Sequence, residues 1–243
     1  MESWGAGKLR SALEAEREIV RMKTHFLHSV SHEFRTPLSV IQSGAELIEH
    51  YADQLTPERR AQALTQIKAS TQQMNEMVEQ VLTLSRIESG QLPIQHKFFS
   101  VADLCADMVR SVSTSTQERC PIMVRCELSC DFQSDATLLR SIVSNLLTNA
   151  VKYSNAGSSI TLAATQNDAA ISIVLRDQGM GITPDDLPHV QEPFHRGANA
   201  GDIPGTGLGL AIASKCAALL GGSLKLDSIE GKGTTAIVTL PLV

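Results

Sequence analysis

The sequence predicts an α+β chain in two parts: a helical hairpin that pairs with a second copy as a dimeric four-helix bundle, then an α/β sandwich with a mixed sheet. Three observations predict it. Apolar residues recur every seven across about residues 8–53, and a second amphipathic stretch opens at Thr56. Beyond about residue 90 the pattern breaks into short alternating runs mixed with helices, without strict βαβ alternation. At 243 residues the chain is long enough for two domains.

In the first stretch the heptad series is Leu13, Val20, Leu27, Phe34, Ile41 and Ile48, with Ala12, Ile19, Phe26, Val40 and Leu47 beside it. A helix of that length, roughly 65 Å at ~1.5 Å per residue, needs a partner along its apolar stripe. Thr56 then supplies an N-cap, Pro57 a first-turn proline and Glu58 a first-turn acid, before Leu64, Ile67, Met74, Val78 and Val81 recur at three, four and seven. The short connection makes the pair antiparallel. One hairpin leaves apolar surface on both helices uncovered, so a homodimer is expected. The stretch Ser89 to Pro93 ends the second helix. Beyond it the patterning predicts helices near 101–114, 135–152 and 207–220, and strands near 122–128, 159–166, 170–176, 223–228 and 234–240.

Composition narrows the function. The formal net charge is -5 and the basic residues are scattered, which disfavours a nucleic-acid surface. Five cysteines with no CxxC pair suggest neither a disulfide framework nor a zinc site, and suit a reducing cytosol. No apolar run has the ~18 residues of a membrane span, and the opening MESWGAGKLR lacks a signal-peptide core. This chain is therefore expected to be cytoplasmic without direct membrane contact, and to be a fragment of a protein that could itself be membrane-anchored.

On a helical wheel Leu27, Val30, Phe34, Leu38 and Ile41 share one face, and His32 projects opposite. Thr36 lies one turn further along the face of His32, with Pro37 after it. An exposed imidazole, with its pKa near ~6.5, offers a neutral ring nitrogen as nucleophile at cytosolic pH. Glu33 could hold the other ring proton. By wheel position alone a plain surface histidine is the favoured reading of His32, since that is what most such histidines are.

The segment NLLTNAVKYS sets Asn145, Asn149 and Lys152 at four- and three-residue spacing on one helix face. That face is either merely solvated or the polar wall of a pocket, where a carboxamide oxygen suits Mg²⁺. Further on, Asp177, Gly179 and Gly181 form DQGMGI after a strand, and Gly205, Gly207 and Gly209 form GTGLGL before a helix. The first can accept hydrogen bonds from an amino group, and the second can offer free N–H groups to phosphate. Each is weak alone. Residues 183–204, with four prolines, read as a mobile lid between them.

Together these segments carry a resemblance. SHEFRTPL resembles the phosphoacceptor box of sensor histidine kinases, and NxxxNxxKY, DxGxGI, EPFxR and GTGLGL resemble, in order, the N, G1, F and G2 boxes of the GHKL (Bergerat-type) ATP-binding fold. The resemblance implies a signalling coiled-coil segment at 1–24, a dimerisation and histidine phosphotransfer hairpin at 25–90, and a catalytic ATP-binding domain at 91–243. It implies ATP-dependent phosphorylation of His32, with Glu33 as acid or base, transfer to an Asp of a response regulator, and Thr36 supporting phosphatase activity on that regulator.

It further implies ATP with Mg²⁺ as cofactors. Asn149 would hold the metal, Asn145 and Lys152 would lie near the phosphates, Tyr153 near the base or sugar, and Asp177 would read the adenine amino group. Gly179, Gly181, Ile182, Arg196, Gly205, Thr206, Gly207, Leu208, Gly209 and Leu210 complete the expected site, with Thr235 as an adenine-side threonine. Gln178 stands where the family commonly has Asn, and Gln191 where the F box usually has Phe. GHKL ATPases of the gyrase or chaperone kind resemble each other in a water-activating Glu where this chain has Asn145, and they lack the SHEFRTPL helix. A scaffold that binds nucleotide without transferring it is the other reading weighed.

Overall fold

The computed structural model describes residues 30–31, 33–51, 54–128, 131–201, 203 and 205–242. His32 and the heptads before residue 30 lie outside these. The chain divides into two compact units between Glu79 and Gln80.

The first unit is a helical hairpin. Residues 30–31 and 33–51 are helical (α1), and α2 spans Pro57–Glu88, its last turns belonging to the second unit. The predicted cap is present: Thr56 Oγ1 accepts the Arg59 amide at 3.3 Å, and Glu58 sits in the first turn. Its carboxyl is held below the usual range by its own backbone hydrogen bond and by Thr56. Along α2 Ala63, Ser70, Met77 and Leu84 are buried at seven-residue spacing, and Ile87 is buried one turn further on. Gly44 of α1 lets the helices approach, since a Cβ there would meet Ile67 at 2.9 Å. Leu38, Val40, Leu47, Leu64 and Val78 remain exposed, so one hairpin does leave apolar surface uncovered.

The second unit is an α/β sandwich. Its strands are β1 (Lys97–Phe99), β2 (Ile122–Glu127), β3 (Phe132–Ser134), β4 (Ile160–Gln166), β5 (Ala170–Arg176), β6 (Ser223–Ile229) and β7 (Gly233–Pro241). Five form a mixed sheet in the order β2-β4-β5-β7-β6, with β2 parallel to β4 and every other pairing antiparallel. Helices α3 (Val101–Ser115), α4 (Ala136–Tyr153) and α5 (Gly209–Leu219) supply the second layer.

Period-two burial shows which sheet face they cover. Ile160, Leu162 and Ala164, then Ile171, Ile173 and Leu175, then Ala236, Val238 and Leu240 are buried, while the residues between them are more exposed. The small antiparallel pair β1–β3 had no signal in the sequence reading. Its strands are three residues long, too short for periodicity to register. Asp135 ties this ribbon to α4: its carboxylate caps the helix through the amides of Thr137 and Leu138, and accepts from Gln95 N at 2.8 Å.

Burial pushes the Cys105 thiol up to about 12 and that of Cys216 to about 11, so neither supplies a thiolate at neutral pH. Among the described residues no cluster of His, Cys, Asp or Glu could hold a metal, and no helix is long and apolar enough to cross a membrane.

Candidate nucleotide site

The buried stripe of α4, which includes Leu139, Ile142, Leu146 and Ala150, fixes the helix's rotation and leaves Asn145, Asn149 and Lys152 half-buried along another face. The first turn of α5 comes against that face. A Cβ on Gly209 would lie 3.0 Å from Asn145 Oδ1 and 3.5 Å from Asn149 Nδ2, and one on Gly205 would lie 1.8 Å from Lys152 Nζ. A β-carbon at either glycine would push these side chains away from the turn.

Each polar group has a direction. Asn145 Nδ2 donates to Ser141 O at 2.8 Å, which orients its amide. The Asn149 side chain makes no hydrogen bond among the described residues, so its carbonyl oxygen is available to a hard cation; this donor fits Mg²⁺ in a site where phosphate would supply further oxygens. Lys152 Nζ sits 4.6 Å from the Tyr153 ring centroid, with no carboxylate paired to it among the described residues, and can meet an anion. The N-terminus of α5 has no side-chain cap, which leaves backbone N–H groups and the positive end of the helix dipole free for the same anion.

Asp177 follows β5, where Leu175 and Asp177 fall in phase on the helix-covered face. Its Oδ1 accepts from Gly179 N at 2.8 Å and Thr234 N at 3.1 Å. Burial raises its carboxyl above the ordinary value, and the two amides partly offset that. The loop from Asp177 to Ile182 is zipped to the β6–β7 turn by Asp177 N→Thr234 O, Gly231 N→Met180 O and Ile182 N→Ser228 Oγ. At Gly181, with φ 67, a Cβ would lie 2.2 Å from Ile229 O. Gly179 is closed in by Tyr153 O, 2.5 Å from its Cβ position.

The threonine against Asp177 is Thr234, not the expected Thr235. Thr235 pairs with Arg176 in the β5–β7 register and its hydroxyl accepts from Arg176 Nε at 3.3 Å. Strand phase held the signal: Thr234 is in phase with the buried Ala236, Val238 and Leu240, and Thr235 is not.

The segment expected to form the lid is gathered around Asp186, which sequence patterning did not single out. It accepts from Thr183 Oγ1 at 2.7 Å and Ala198 N at 2.8 Å, and pairs with His195 Nε2 at 3.0 Å. Thr183 first, then Ala198, hold its carboxyl below the usual range. Arg196 stays within this segment, donating to the carbonyls of Gly201 and Ile203, rather than joining the α4 groups. Phe194 N bonds Gly207 O at 3.0 Å, and both residues have positive φ. Thr206 Oγ1 donates to Gln80 Oε1 at 2.7 Å and accepts from Leu208 N. Leu208 is fully buried, and Leu210 lies in the first turn of α5.

A mixed sheet backed by helices, with α4 carboxamides and a lysine facing a glycine turn and an Asp at a strand end, defines a GHKL-type ATP-binding sandwich that follows a helical hairpin in the chain. The comparisons with known proteins agree. The His Kinase A (phospho-acceptor) domain model matches residues 22–90, and the histidine kinase-, DNA gyrase B- and HSP90-like ATPase model matches residues 134–243.

The Histidine protein kinase DivJ of Caulobacter vibrioides is 30% identical over 91% of this chain, which spans 38% of that relative. Among solved structures, the Acinetobacter baumannii histidine kinase AdeS superposes with TM-score 0.68 at 22% identity, covering 87% of this chain and 98% of that one. Full-length ShkA in complex with AMPPNP gives TM-score 0.66 at 26% identity, covering 89% of this chain and 45% of that one. The chain belongs to the sensor histidine kinases, and the region of that family it matches is the catalytic one.

Proposed function

We propose that this chain autophosphorylates His32 from ATP and passes the phosphoryl group to an aspartate of a response regulator. The observation that supports it best is the set of groups converging on the Gly205–Gly209 turn: two carboxamides and a lysine, with no carboxylate among them. A carboxamide such as Asn145 cannot take a proton from water. The site is suited to holding a triphosphate while a nucleophile arrives from elsewhere, and less suited to hydrolysis. That separates this reading from a conformational ATPase.

In the reaction a neutral His32 ring nitrogen attacks the γ-phosphorus, the bond to the β–γ bridging oxygen breaks, and ADP leaves. Glu33, beside it in sequence, would hold the proton of the other ring nitrogen. Lys152 and the uncapped amides of α5 would stabilise charge on the phosphoryl oxygens and the leaving oxygen. When bound through Asn149, Mg²⁺ would supply further neutralisation of the phosphates. Asp177 would fix the base. Positioning carries most of the rate.

Thr36, exposed on α1, would orient water toward an acylphosphate on the regulator, giving phosphatase activity. The functional division at 1–24, 25–90 and 91–243, the homodimer, and a cytoplasmic site of action belong to the same proposal.

The test is incubation with γ-labelled ATP and Mg²⁺, comparing wild type with His32→Gln. Acid-labile, alkali-stable label that disappears in the variant is expected. Label retained by the variant would remove His32 from the mechanism, and nucleotide binding with no label would turn the assignment toward a binding scaffold.

A further inference from the structure

Ser228 stands opposite Thr234 in the β6–β7 register, and its hydroxyl lies among three polar groups. Ile182 N is 2.9 Å away, Gly233 O 3.0 Å and Thr234 Oγ1 2.8 Å. A serine hydroxyl has one proton and two lone pairs, and its partners limit how they are used. The Gly233 carbonyl can only accept, so the serine proton goes there. The Ile182 amide can only donate, so it takes one lone pair. What remains for Thr234 is the other lone pair, and Thr234 must therefore donate. The 2.8 Å contact by itself leaves either hydroxyl as donor; the full set of partners assigns the direction.

The consequence falls on the ligand side. With its proton committed to Ser228, Thr234 Oγ1 can offer only lone pairs outward. Its neighbour Asp177, joined to it through Thr234 N and Thr234 O, is an acceptor as well. We propose that Ser228 is a positioning residue for base specificity. By locking Thr234 as an acceptor beside Asp177, it makes this corner select a purine with an exocyclic amino group and reject one with a carbonyl there. This rests on the adenine-nucleotide reading above. A site built from buried polar groups discriminates strongly when a partner presents the wrong polarity. Without the serine hydroxyl, Thr234 is free to rotate and donate to a carbonyl oxygen.

The experiment measures binding of ATP and of inosine triphosphate, which differs in carrying a 6-oxo group, to the whole chain. Wild type, Ser228→Ala, Ser228→Thr, Thr234→Val and the Ser228→Ala/Thr234→Val pair are compared, with thermal unfolding recorded for each. The ATP-to-ITP preference is expected to fall about tenfold in Ser228→Ala, the scale of one hydrogen bond reversed. Ser228→Thr keeps the preference, Thr234→Val lowers it while Asp177 still discriminates, and Ser228→Ala adds no further loss in the Thr234→Val background. A role in packing alone would weaken both nucleotides equally and leave their ratio intact; that result overturns the proposal. If Ser228→Ala does not fold, an unchanged ratio in Thr234→Val overturns it on its own. A wild-type chain that binds no ATP overturns the underlying reading instead.

Discussion

Gly205 faces Lys152 so closely that a β-carbon on the glycine would fall 1.8 Å from Nζ. The obstacle is the far end of a flexible side chain, not backbone, so an added methyl displaces the ammonium without disturbing the fold. Gly205→Ala is expected to unfold within about 0.5 kcal/mol of wild type, and to bind ATP about tenfold more weakly through loss of one charged contact. Calorimetric titration and a denaturation curve check the two halves separately.

Gly181 is the opposite case. Its φ is 67 and its Cβ position lies 2.2 Å from the Ile229 carbonyl oxygen, so alanine meets both a disfavoured conformation and rigid backbone. Gly181→Ala should cost about 3 kcal/mol or more, whereas Gly157→Ala should cost only about 1 kcal/mol. Gly157 has φ 83 with nothing within 4 Å of its Cβ position, so it isolates the conformational part. Urea denaturation of the two variants gives the comparison.

Asp177 gives a pH signature. Burial raises its carboxyl in the folded state, so the native protein holds its proton to higher pH than the unfolded chain does. Stability from this group is therefore present below the ordinary carboxylate value and lost as pH rises through the raised one. Asp177→Asn keeps an oxygen for the Gly179 and Thr234 amides and removes the charge. Its unfolding temperature should exceed wild type at neutral pH, converge with it near pH 3, and be accompanied by loss of ATP binding. A variant less stable at neutral pH would contradict the account.

Asn149 is tested by metal removal. Chelating Mg²⁺ should weaken ATP binding to wild type about tenfold, by withdrawing the ion between carboxamide and phosphates. Asn149→Ala should bind ATP weakly with or without Mg²⁺. An undiminished metal response in that variant would place the ion elsewhere.

The uncovered leucines of the hairpin predict its assembly. Leu38 is 53% exposed and Leu47 40% exposed in a single chain. Leu38→Glu with Leu47→Glu should shift the sedimenting species from dimer toward monomer, because each would bury a charge in the interface. ATP binding should persist, since the nucleotide groups lie on α4, α5 and the β6–β7 end. A double variant that stays dimeric would put the interface on another face.

Much of this was legible in the chain because the signals were local. The cap at Thr56, the four-and-three spacing of Asn145, Asn149 and Lys152, and the glycine pairs each report on a few neighbouring residues, where helix and turn geometry is set by short-range sterics. The seam through Ala63 and Ser70 was less visible: a small residue and a polar one carry little hydrophobic signal, although both are buried in the folded hairpin.

By itself the sequence determined the order of elements, the hairpin followed by a sandwich, and the family to which the boxes belong, since these depend on periodicity and residue type along the chain. Which threonine stands beside Asp177, that Ser228 directs its hydroxyl, and that Asp186 gathers Thr183, His195 and Ala198 were decided only by tertiary structure. The reason is physical: cross-strand register and loop closure join residues 57 and 46 positions apart through hydrogen bonds, and no local pattern encodes which partner a donor reaches.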